Sequence, residues 1–67
     1  MKKTDFNNYL RKEHNITLKE LALKTGIPYY TLQKYSQGVI TPSPDRIRVI
    51  ADALLVMPAE IVFMLVK

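Results

Sequence analysis

The segment ITLKELALKTGIPYYTLQKYSQG, residues 16–38, decides the fold. Thr17 and Glu20 have the spacing of a capping box, and Ile16 with Leu21 that of a hydrophobic staple, so a helix begins here. Leu18, Leu21 and Ala22 share one face of it. Gly26 closes it where the backbone must turn left-handed. A second helix starts at Pro28 or Tyr29 and runs to about Gln37, with Gly38 as its stop. Proline suits a first helical turn, where its missing N–H has no helical partner in any case. Leu32 and Tyr35, three residues apart, turn toward the core. Tyr29, Tyr30, Gln33 and Lys34 therefore lie on or beside the opposite face.

Two short helices joined by a tight turn containing glycine make a helix-turn-helix, here over about residues 17–37. Ala22 is small enough for the second helix to cross the first closely. Leu21, Ile27 and Leu32 fix the angle between them. Such a unit presents the outer face of its second helix, a shape that fits the major groove of B-DNA.

Working outward, TDFNNYLRKEH (4–14) places Phe6, Tyr9 and Leu10 at helical spacing behind a cap at Thr4 or Asp5, and ends near His14-Asn15. VITPSPD (39–45) is a loop rich in helix breakers. Ser43 caps the next helix, Pro44 fills its first turn and Asp45 complements its dipole. Ile47, Ile50, Ala51 and Leu54 form its apolar stripe. A last helix begins at Pro58, and AEIVFMLVK (59–67) is hydrophobic on nearly every side except at Glu60. No segment alternates with a strand period. The expectation is an all-α, compact five-helix bundle forming one domain over residues 1–67.

Composition narrows the function. With 48% hydrophobic residues the chain can fold, but 67 residues leave room for one core only. There are no cysteines, which excludes disulfides and thiolate metal sites, and His14 is the only histidine. No metal or other cofactor is expected. No apolar run approaches the ~18 residues of a membrane span and the N-terminus lacks the apolar core of a signal peptide, so a cytoplasmic location is expected. The net charge of +4 lies wholly in residues 1–38, which hold seven basic and three acidic side chains; residues 39–67 hold three of each. A basic half attracts polyanions. No Ser/His/Asp set, glycine-rich phosphate loop or carboxylate pair in a cleft supports an enzyme.

These features together resemble the Cro/repressor-type (Xre) helix-turn-helix domains of phage and bacterial regulators. The resemblance rests on Leu21-Ala22, Gly26-Ile27, Thr31-Leu32, Gly38, Pro42-Ser43 and the stripe ending at Ala53-Leu54, and covers roughly residues 16–61. It implies a five-helix domain that binds double-stranded operator DNA, commonly as a dimer on paired half-sites. By position it implies Tyr29, Tyr30 and Lys34 as base-facing residues, with Thr31 and Gln33 nearby, and the start of the helix at Thr17 and the loop after Gly38 on phosphates. Arg11, near the end of the first helix, is a further phosphate candidate, with Lys2 and Lys3 as weaker ones.

The departures from that family pattern are mostly apolar. Leu18 stands where glutamine is usual, Leu23 where a polar residue is usual, Val39-Ile40-Thr41 where the loop is commonly basic, and Leu55 where glycine is common. Each lost basic residue removes a phosphate contact. Leu18, Leu23, Val39 and Ile40 are candidates for an apolar, partner-binding surface. Tyr29 and Tyr30 stay open between DNA contact, a protein interface and packing. Val62, Phe63, Leu65 and Val66 are expected at an oligomer interface, since one short helix cannot bury all its sides in so small a domain. The functional expectation is a small Cro-like regulator of a phage-type genetic switch, as a homodimer or a heteromer with another regulator. A modulator or antirepressor that binds a repressor protein is the alternative, and an antitoxin the third.

Overall fold

The computed structural model describes residues 6–65, among which there are five helical segments and no strand. The first, α1 (Phe6–Tyr9), runs without a break into a π-helical stretch, Leu10–His14. Then follow α2 (Leu18–Thr25), α3 (Tyr29–Gln37), α4 (Pro44–Leu54) and α5 (Pro58–Leu65). The expected cap at Thr4 or Asp5 lies outside the described residues, as do Lys2, Lys3 and Val66.

One core gathers an apolar face from every helix. Phe6 and Leu10 come from the first segment, Leu18 and Leu21 from α2, and Ile27 from the turn. Leu32 and Tyr35 come from α3, Ile47, Ile50, Ala51 and Leu54 from α4, and Ile61 and Leu65 from α5. α4 packs against both α2 and α5, and its stripe is the central plank. Each buried Leu, Ile or Phe among them contributes roughly 1.5–3 kcal/mol by leaving water.

The helix ends follow the sequence signals closely. Thr17 Oγ1 accepts the N–H of Glu20 at 3.1 Å, and Glu20 Oε1 accepts the N–H of Thr17 at 2.8 Å, completing the capping box. Ile16 packs against the core beside it. Gly26 takes φ 78° and its N–H reaches the carbonyl of Ala22 at 2.8 Å. A Cβ there would meet nothing within 4 Å, so the glycine answers to backbone conformation alone. The Thr25 hydroxyl donates to the carbonyl of Leu21 at 2.9 Å and accepts the N–H of Ile27 at 3.2 Å, pinning the turn from both sides. Pro28 is extended (φ −55°, ψ 139°) and precedes the helix rather than filling its first turn; α3 starts at Tyr29. Ser43 caps α4 through the N–H of Arg46 at 3.3 Å, with Pro44 in the first turn.

Two expectations about the surface are corrected here. Leu18 is only 6% exposed, because it shares the inward face of α2 with Leu21, and it belongs to the core. Leu65 is 4% exposed and, one turn after Ile61, closes the α5 side of the same core. Neither is available to a partner.

Candidate nucleic-acid interface

The outer face of α3 is built from two pairs with i, i+4 spacing, the separation at which helical side chains meet. The ammonium of Lys34 lies over the ring of Tyr30, 4.8 Å from its centroid. A cation–π contact of this exposed kind contributes about 0.5–1 kcal/mol. Beside it, Gln33 Nε2 donates to the hydroxyl of Tyr29 at 3.3 Å. Tyr29 and Tyr30 are exposed, while Thr31, Gln33 and Lys34 are half-buried. The pairing restrains long side chains in the free protein, which reduces the ordering cost of any later contact. Chemically the face offers a cation, an amide with one uncommitted N–H and a carbonyl, and a phenol that can donate or accept.

A groove of about 380 Å³ opens beside the start of α3 and is lined by Asn7, Arg11, Thr17, Leu18, Lys19 and Tyr29. Leu18 is its buried apolar residue. Arg11, on the π-helical stretch, and Lys19, at the second position of α2, supply two cations beside a helix N-terminus, an arrangement favourable to anions. Glu20 offsets part of that charge from its place in the capping box.

A helix-turn-helix family model matches residues 8–61, from within α1 into α5. The chain belongs to the Cro/Xre-type helix-turn-helix family. It is therefore a DNA-binding domain of transcription regulators, a family not typically enzymatic. No curated protein and no solved structure matches it.

In this helix-turn-helix chain, the sequence-derived candidates separate into distinct surfaces. Tyr29, Tyr30, Gln33 and Lys34 come together on α3, with Thr31 between them, and Arg11 shares the adjacent groove with Tyr29. Tyr35 is core, as its spacing implies. Leu23 is 83% exposed, and Val39 and Ile40 are exposed as well. On α5, Val62 and Phe63 face solvent, Phe63 at 83%. No described helix is long and apolar enough to cross a membrane.

Three further residues were not singled out from the sequence. Lys19 and Asn7 line the groove. Lys19 had a signal, since it stands inside the first turn of a capped helix. Asn7 had none. Arg46 had none either, because its partner is eleven residues away: its Nη1 donates to the Tyr35 hydroxyl at 3.3 Å.

His14, at the end of the π-helical stretch, is half-buried and bonded. Its Nε2 lies 3.0 Å from the Tyr9 hydroxyl, and Tyr9 in turn donates to Glu60 Oε2 at 3.5 Å. Burial, and after it the charge of Glu60, raises the Tyr9 phenol above its ordinary 10.0; its hydrogen bond to Glu60 and the charge of Glu13 act the same way.

Proposed function

We propose that this protein regulates transcription by seating α3 in the major groove of an operator. Lys34 and Tyr30 stand near base edges, Thr31 and Gln33 beside them, and Tyr29 at the groove entrance. Arg11, Lys19 and the start of α2 hold the sugar–phosphate backbone. The observation that carries this reading is the outward, pre-paired face of α3 next to a groove holding two cations. A dimer formed through Val62 and Phe63 would place two such helices on paired half-sites, as a small phage-type switch protein requires.

Fluorescence anisotropy on duplexes from beside the protein's own gene, and on scrambled duplexes, tests this directly. The expected result is ~10³-fold tighter binding to the native sequence with a steep salt dependence. Lys34→Ala removes a base-edge donor and is expected to cost about 1–3 kcal/mol on the native duplex, less on scrambled DNA, with the fold intact. Equal, weak binding to both duplexes would sink the operator reading.

A second reading is favoured by Leu23, Val39 and Ile40. These exposed side chains stand where related domains usually carry polar or basic ones, and they suit a protein partner such as another regulator. In that case the native duplex gains no preference and the protein is a modulator rather than a reader of DNA.

A further inference from the structure

The loop that follows α3 carries Val39, Ile40 and Thr41, so it offers no cation to a phosphate. Arg46 stands just beyond it, in the first turn of α4. Its backbone N–H is fixed on the Ser43 hydroxyl at 3.3 Å. Its guanidinium donates through Nη1 to the Tyr35 hydroxyl at 3.3 Å. Tyr35 belongs to the last turns of α3 and its ring is buried in the core, so the phenol is a rigid support. A guanidinium has five N–H donors. The rest of this fork meets no acceptor among the described residues, and the side chain is only half-buried. The structure therefore holds a cation in place and leaves most of its hydrogen-bonding capacity unused.

Its bond to Tyr35 places that cation beside the C-terminal turn of α3. α3 has nine residues, about 13 Å at 1.5 Å per residue, and the B-DNA major groove is about 12 Å wide. A helix of that length seated across the groove brings its two ends close to the two phosphate walls. Arg11 and Lys19 stand at the N-terminal end. We infer that Arg46 serves the C-terminal end as a phosphate anchor, with Tyr35 as the positioning residue that holds it, and that this pair replaces a basic loop. The inference rests on the operator-binding reading above. It adds a second, opposite point of attachment, which fixes the angle of α3 in the groove.

The test is the slope of log K against log[salt], measured by anisotropy on the native and scrambled duplexes. Arg46→Gln removes the charge and leaves a shorter polar side chain. It is expected to weaken binding to both duplexes by ~5–10-fold at low salt and to flatten the slope by about 0.9, the loss of one phosphate contact. Tyr35→Phe keeps the charge and removes only the support; the slope should hold while affinity falls ~2–5-fold, the cost of ordering a freed arginine. An unchanged slope in Arg46→Gln overturns the anchor and leaves the reading of α3 standing. An absence of DNA binding by the parent protein overturns both.

Discussion

Four residues end their helices in the left-handed conformation: Asn15, Gly26, Gly38 and Leu55. Two are glycines, and asparagine tolerates the region because its short polar side chain bonds locally. Leu55 has no such excuse, at φ 59° and ψ 43°. Its side chain is 92% exposed, so packing does not repay the strain. Leu55→Gly should therefore stabilise the domain by about 1 kcal/mol, the steric cost of a branched side chain there less the extra freedom glycine has when unfolded. Urea denaturation of the two proteins would read this as a higher midpoint at unchanged slope. A lower midpoint would mean that Leu55 is covered in solution. The strain was legible in the sequence, because Leu55 occupies a position where glycine is the usual stop. Leu18 shows the opposite case: the family pattern put a polar residue at its position and suggested surface, whereas its spacing from Leu21 put it on the inward face, and the structure follows the spacing.

At the scale of elements, the caps and stripes carried most of the fold. Thr17 with Glu20, the two glycines and Ser43 marked boundaries that the structure keeps. These signals are local, and local signals can be read from spacing. The π-helical winding of Leu10–His14 was not legible, since no residue type or spacing in LRKEH distinguishes it from an ordinary helical turn. Nor were the Arg46–Tyr35 and Tyr9–Glu60 bonds, which join residues 11 and 51 positions apart. The second of these ties the first helix to the last and has a pH signature. The folded state holds the Tyr9 proton more tightly than the unfolded chain does, because burial and the Glu60 charge oppose the phenolate. This contribution is complete below the ordinary tyrosine value of 10.0 and is lost as pH rises through the folded value. Tyr9→Phe removes the titrating group while keeping the ring. Relative to the parent protein it should lose less stability between about pH 8 and about pH 11 in urea titrations. Equal losses in the two proteins would show that Tyr9 titrates alike in the folded and unfolded chains.

For the whole molecule, the question is what covers the outer side of α5. A 67-residue chain without disulfides has a small margin of stability, and association is one way to enlarge it. Phe63 is 83% exposed on α5, whose only charged residue is Glu60, with Val62 exposed beside it and Met57 exposed just before the helix. In a two-fold dimer every residue of this patch is used twice, so the effect of one substitution doubles. Burying a phenylalanine contributes about 1.5–3 kcal/mol, and two copies make roughly 4 kcal/mol, or ~10³-fold in the dimer constant. Phe63→Glu should shift sedimentation equilibrium from dimer to monomer by that factor. It should leave the monomer's fold intact, because the side chain takes little part in the core. It should also weaken binding to a paired operator site far more than binding to a single half-site, since only the former gains from two linked recognition helices. A parent protein that stays monomeric at ~100 μM, where even a weak dimer of micromolar affinity would form, would remove the homodimer. The same patch would then be left for a different chain, and the balance would move toward a modulator working through another regulator.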